Sequence, residues 1–185
     1  MESRIVHLRC LAFSIALSAL FFPNGCSKTG PPGYQPSHRG ARYLYKDRIE
    51  FDDGDSFLLS GKPIRILGID APEIIDTSVG IFENQPFGIE AAESTKAWIL
   101  RAKIAEYLPD GKDIYDRILA HIIVDGELLS VKLIHNGLAY ETVTTFGDNG
   151  FPDLARKILQ ASLESPAPKF QKPYLWRKKH QRKKR

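Results

Sequence analysis

Three short strand-like runs joined by tight turns lie between Tyr43 and Ile69, and they constrain this chain more than any other feature. Residues Tyr43 to Phe51 alternate roughly between apolar and polar, as a half-buried strand does. Asp52-Asp53-Gly54-Asp55 then makes an acidic turn, with Asp53-Gly54 as a strong hairpin signal. Ser56 to Leu59 continues as strand, Ser60-Gly61-Lys62-Pro63 turns again, and Ile64 to Ile69 forms the third run. The pattern predicts a meander. Its last strand carries Arg65 and runs into Asp70-Ala71-Pro72-Glu73, delivering a guanidinium, an aspartate and a glutamate to one rim. Such a rim suits a phosphate and a hard cation. Taken alone, it reads at least as well as an ordinary strand end with a polar turn.

The rest of the chain alternates short strands with helices. Ile74 to Pro86 has no periodicity and is expected to be a surface loop. From Gly88 to about Leu100 the spacing of Ala91, Ala92, Thr95, Trp98 and Ile99 is helical, with Trp98 assigned to core packing. Ala102 to Leu108 and Ile118 to Val124 read as strands, followed by Pro109-Asp110-Gly111 and Asp125-Gly126 turns. Ser130 is a natural N-cap for a short helix from Val131 to Asn136, stopped by Gly137. Leu138 to Thr145 is expected as strand, and Pro152 to about Glu164 as a third helix with proline in its first turn. Ser165-Pro166-Ala167-Pro168 breaks that helix, and an extended segment leads to Trp176. The expected class is α+β, mainly β: a five-stranded OB-fold barrel with about three helices, an architecture that commonly binds oligonucleotides on one face.

Charge divides the chain into a body and a tail. Of 26 Lys and Arg, seven lie in residues 177–185, which contain no acid. The remaining chain carries 19 basic and 22 acidic residues, a net of −3, so the basicity belongs to a terminal run suited to polyanions. At the other end, Arg4 and Arg9 precede an apolar stretch from Cys10 to Phe22, too short for a comfortable membrane span and right for a signal-peptide core. Pro23-Asn24-Gly25-Cys26-Ser27 follows. Cys26 after a small residue resembles a lipoprotein cleavage site, although Pro23 and Asn24 stand where an aliphatic and a small residue are usual. Export is expected, either as a membrane-anchored lipoprotein through Cys26 (or an uncleaved anchor) or as a secreted or periplasmic protein. The two cysteines, Cys10 and Cys26, both lie in this segment, so the body from residue 27 onward has no pair for a disulfide. Residues 27–42, rich in Gly, Pro and Ser, are expected to be a flexible linker to a domain over 43–176.

Three separated motifs carry the chemistry: Asp53-Gly54-Asp55-Ser56, Arg65…Asp70-Ala71-Pro72-Glu73, and Asp113-Ile114-Tyr115-Asp116-Arg117. Each is weak alone. In this order and at these separations they resemble the staphylococcal nuclease (thermonuclease) family, whose pattern runs DGD-S/T, R-x-x-G-x-D-x-P-E and D-x-Y-x-R. Asn136-Gly137-Leu138-Ala139 and Leu175-Trp176 also match. The resemblance implies an OB-fold, Ca²⁺-dependent phosphodiesterase acting on DNA and RNA, expected as a monomer. Carried over by motif, Asp55 and Asp70 would ligate Ca²⁺ through carboxylates and Ala71 through its carbonyl. Glu73 would act through water, Arg65 and Arg117 would grip the scissile phosphate, and Tyr115 would contact substrate.

Physical chemistry agrees with that assignment. A shell of carboxylate and carbonyl oxygens suits Ca²⁺ better than zinc. Two planar guanidiniums stabilise the equatorial oxygens of a five-coordinate phosphorus better than the point charge of lysine. The five histidines show no ligand spacing and are read as structural or surface residues. Departures from the family pattern are Asp116, where a small residue is usual, and Ile114, where a basic residue is frequent. Val143 and Thr145 replace aromatics that stack the base, with Phe146 or Tyr140 as substitutes. Two rival readings are a non-catalytic OB module that holds single-stranded nucleic acid, and a surface protein whose acidic turn binds calcium only for stability.

Overall fold

The structure, a computed structural model, describes residues 30–182. The N-terminal apolar segment with Cys10 and Cys26 lies outside the described residues. The main sheet contains β1 (Arg42–Tyr43), β2 (Ile49–Phe51), β3 (Ser56–Leu59), β4 (Lys62–Ile66), β6 (Ala105–Lys112), β7 (Ile118–Val124) and β8 (Glu127–Leu128). Its strand order is β1-β6-β7-β4-β3-β2, with β8 on β7, and it curls into a half-barrel of OB type. β5 (Ile69–Asp70) pairs separately with β9 (Tyr140–Glu141). Five α-helices are seen among the described residues: α1 (Gly88–Arg101), α2 (Leu129–His135), α3 (Val143–Phe146), α4 (Pro152–Glu164) and α5 (Pro173–His180).

The meander forms as antiparallel hairpins, with Phe51 opposite Phe57 and Phe57 opposite Ile64. Two expected strands are interrupted. A 3₁₀ turn over Lys46–Arg48 splits the first into β1 and β2, which sit at opposite ends of the strand order. Gly68, in the left-handed region at φ 82°, breaks the third into β4 and β5. Only glycine enters that region without steric cost, and a Cβ there would also meet the Ile158 side chain of α4 at 2.5 Å. The kink turns Asp70 off the main sheet onto Tyr140 of β9. β4 pairs with β7 in parallel, Arg65 opposite Leu119, so Arg65 stands two register positions from Arg117, the residue just before β7.

The core is aliphatic. Phe57, Ile64, Ile66, Ile122 and Ile123 from the sheet, Ile99 from α1, Leu129 and Leu133 from α2 and Ile158 from α4 are fully buried. At about 1.5–3 kcal/mol for each large side chain buried, this cluster is the source of stability in a body without a disulfide. Trp98 packs on its margin, as expected.

Several local expectations give way to tertiary context. Pro109-Asp110-Gly111 is not a separate turn. It lies within β6 as an irregularity in the register to β7 between Pro109 and Lys112. Ser130 does not cap α2: Leu128 stands at that position, and the buried Ser130 hydroxyl has no partner among the described residues. Of the strand expected over 138–145 only Tyr140–Glu141 remains, and α3 follows it. The linker expected to be flexible is fastened from Tyr34 onward. The Tyr34 hydroxyl (2.6 Å) and the Ser37 amide (2.8 Å) both donate to the buried Glu106 carboxylate of β6. The last surprise is α5, where an extended segment and a tail were expected.

Candidate active site

Strand register gathers the acidic residues. Asp55 stands just before β3, and its carbonyl accepts the Ile66 amide at 2.8 Å, so the acidic turn is stitched to the end of β4. Asp53 shapes that turn by accepting the Asp55 amide (3.0 Å) and the Ser56 hydroxyl (2.8 Å). Burial raises the Asp53 carboxyl pKa, and the positive charge of Arg65 opposes the rise. Asp55 itself is almost wholly buried. One of its oxygens takes the Ala71 amide at 2.6 Å, and the other is paired with the Arg65 guanidinium. Arg65 also donates to Asp70 Oδ1 at 2.9 Å and to the Ile69 carbonyl at 3.2 Å. A single planar fork therefore bridges Asp55 and Asp70, a pairing that lysine could not reproduce.

Glu73 sits one turn further on, mostly buried. Its backbone is held by Gln85, whose amide donates to the Glu73 carbonyl at 2.9 Å while its side-chain oxygen accepts the Glu73 amide at 3.3 Å. The Gln85 side-chain nitrogen reaches the Gln171 carbonyl at 2.6 Å, tying this turn to the C-terminal segment. α1 presses closely here, since a Cβ at Gly88 would stand 2.3 Å from the Glu73 carbonyl oxygen. Burial raises the Glu73 carboxyl pKa, with the nearby Arg177 pulling the other way. A carboxyl shifted upward is nearer the range in which it can exchange a proton at neutral pH.

The third motif forms an exposed turn leading into β7. The Asp113 carboxylate accepts Arg117 Nε at 2.8 Å and the amides of Tyr115 (2.9 Å) and Arg117 (3.0 Å). The guanidinium lies over the Tyr115 ring, 5.7 Å from its centroid. Asp116 adopts the left-handed conformation at φ 64°, which aspartate tolerates better than most residues. Its carboxylate pairs with Lys112 at 2.6 Å and is largely exposed, so its charge is partnered and screened. Ile114 projects into solvent, 91% exposed.

Arg65, Asp70, Asp113, Tyr115 and Arg117 line one open cavity of about 800 Å³. Tyr140, Thr145, Phe146, Lys172, Tyr174 and Arg177 also line it. Of the aromatic substitutes, Phe146 is 74% exposed at the rim, whereas the Tyr140 hydroxyl is committed to the Phe170 carbonyl at 2.7 Å. Val143 is buried and does not line the cavity. Among the histidines, His121 is buried in β7 with neither ring nitrogen bonded among the described residues, and it packs edge-on against Phe151. His180 stacks on Trp176. Neither lines the cavity.

Sequence reasoning overlooked Arg177 and Gln85. Arg177 reads as the first residue of a basic tail, yet it lies in α5 with its guanidinium against both Asp70 (3.3 and 3.4 Å) and Glu73. Only the buried Trp176 before it hints that the chain is still packed at this point.

The fold and this set of residues define an OB-type domain with an open cavity lined by carboxylates and guanidiniums. Residues 63–177, more than half of the chain, match the family described as staphylococcal nuclease homologue. The chain belongs to that family. It is 33% identical over 106 residues to a thermonuclease of Staphylococcus intermedius, covering 55% of this chain and 60% of the relative. It is 35% identical over 96 residues to a thermonuclease of Staphylococcus hyicus, covering 49% and 55%. The chain thus spans a little over half the length of these relatives.

Proposed function

We propose that this protein is an exported, Ca²⁺-dependent nuclease that hydrolyses phosphodiester bonds of DNA or RNA. The observation that carries the reading is the Arg65 fork bridging Asp55 and Asp70 at a cavity that Arg117 also lines. Export rests on the sequence from Cys10 to Phe22.

The donor set fits a hard cation. Among the described residues no three His, Cys, Asp or Glu side chains stand together as a metal site. A Ca²⁺ ion held by Asp55, Asp70 and the Ala71 carbonyl would therefore complete its six to eight oxygen ligands with water and substrate. Bound there, the cation would supply charge to neutralise the phosphate and polarise its oxygens. The chain's own residues do the rest. Arg65 uses three described hydrogen bonds on Asp55, Asp70 and Ile69, against five N–H donors, so donors remain for a phosphate oxygen. Arg117, steadied by Asp113 and Tyr115, meets the same phosphate. A water oxygen attacks phosphorus and the ester P–O bond breaks, with the leaving oxygen taking up a proton. Glu73 orients that water or accepts its proton.

One observation favours the rival reading of a binding module. Asp70 and Glu73 are already paired with Arg177, so a cation of the chain itself occupies the acidic side. The two readings part on one assay, in which the purified protein is incubated with denatured DNA and with RNA, in Ca²⁺ and then in a chelator. Cleavage that requires Ca²⁺ and is lost in Arg117→Ala is expected. Tight binding of single strands without cleavage contradicts the nuclease reading and favours the module.

A further inference from the structure

The C-terminal helix places a cation where the catalytic ion is expected to act. Arg177 Nη1 is paired with the Glu73 carboxylate and lies 3.3 Å from Asp70 Oδ1, while Nη2 is 3.4 Å from Asp70 Oδ2. Its guanidinium thus spans both carboxylates, just as Arg65 spans Asp55 and Asp70. Two buried acids that would otherwise repel each other are held together by it.

The helix that carries Arg177 is latched elsewhere. Trp176 is buried and stacks flat on His180 at 4.5 Å. His180 pairs with Glu83, the Gln181 side chain donates to the Val79 carbonyl at 2.8 Å, and the Arg182 amide donates to the Gly80 carbonyl at 2.9 Å. The Arg182 guanidinium lies over the Phe82 ring, 5.1 Å from its centroid. All four partners belong to the loop after Glu73, so α5 straps across the carboxylate turn and pins the segment that follows it.

We propose that Arg177 is the resident counter-cation of this site, and that a divalent cation must displace it from Asp70 and Glu73. The inference rests on the cation reading of Asp55 and Asp70. Asp70 already accepts Arg65, so a divalent ion added beside both guanidiniums would set three cations on one carboxylate in a partly desolvated site. Arg177, on the terminal α5, is the one that can leave, because Arg65 is fixed in β4. Cation entry and the release of α5 are therefore two aspects of one equilibrium. The latch around Glu83 biases it toward the closed state, and by reciprocity whatever loosens the latch strengthens cation binding.

The test is calorimetric titration of Ca²⁺ into the intact protein, Arg177→Gln and Glu83→Gln, with hydrogen exchange of residues 173–182 read in the same samples. Glu83→Gln breaks only the latch and leaves Arg177 in place. Arg177→Gln is expected to bind Ca²⁺ about tenfold more tightly, and Glu83→Gln a few-fold more tightly. In the wild type, Ca²⁺ is expected to speed exchange at Gln181 and Arg182. Ca²⁺ affinity in Arg177→Gln that does not exceed that of the wild type, or Ca²⁺ binding that leaves α5 as protected as before, overturns the displacement. Absence of Ca²⁺ binding in all three proteins overturns the cation reading together with this inference, and so separates the two failures.

Discussion

The two walls of the cavity are built in opposite ways. On the acidic side Arg65 and Asp70 line the cavity, Asp55 and Glu73 are buried beside them, and their charges are paired with one another and with Arg177 of α5. The other wall, Asp113 to Arg117, is a turn with an exposed Tyr115 and a single supporting carboxylate. A buried wall is fixed by strand register before any ligand arrives. An exposed one can close on a ligand and open again. On this account the first wall determines whether the site forms, and the second how fast it turns over.

Substitutions can set those two consequences against each other. The largest expected effect is on rate. Arg117→Ala should reduce cleavage by on the order of 10³–10⁵, with a change in stability within about 0.5 kcal/mol, as for other surface sites. Turnover and urea unfolding of the same preparation check both halves. On the acidic wall the order reverses, because Asp55→Ala removes one of the two carboxylates that hold the Arg65 guanidinium and leaves the Ala71 amide without its partner in a buried site. A loss of about 3–5 kcal/mol is expected there, seen as a large fall in the unfolding midpoint.

His121 is buried in β7, and burial pushes its pKa down to about 4, with the charge of His38 a smaller contribution in the same direction. The folded protein favours the neutral ring, so the unfolded chain takes up protons first as the pH falls. Stability should be full above about pH 6.5 and decline to about pH 4, by roughly 3 kcal/mol at most. A stability profile of His121→Leu flattened over that window would support this origin. The smallest effect is expected at Asp116→Gly. Glycine accepts the same dihedral, and only an exposed pair with Lys112 is lost, so cleavage should change less than about tenfold.

The same contrast explains what the sequence alone could convey. Asp53-Gly54, Arg65, Asp70 and Glu73 are legible because hairpin chemistry and a strand end fix them locally. Asp113 and Arg117 are legible as a motif, although their approach to Arg65 depends on the parallel pairing of β4 with β7, a contact between distant segments. Gly68 could be seen as a glycine, but its kink is intelligible only once Ile158 of α4 and Tyr140 of β9 are in place. Ser130 carries good capping chemistry that packing overrode, since the helix begins two residues earlier and the serine is buried. Arg177 was hidden by its neighbours: six further Lys and Arg follow it, and charge density on that scale reads as a solvated tail. Only the docked helix distinguishes the first arginine from the others.

The division of labour between the walls is tested most directly by single-turnover cleavage of a short single-stranded DNA by the wild type and Arg117→Ala at saturating Ca²⁺. Ca²⁺ affinity is measured by calorimetry on the same samples. The account predicts a rate lower by at least about 10³ in the variant, with Ca²⁺ affinity within about twofold of the wild type. Undiminished cleavage, or a loss of Ca²⁺ binding that parallels the loss of rate, would contradict it.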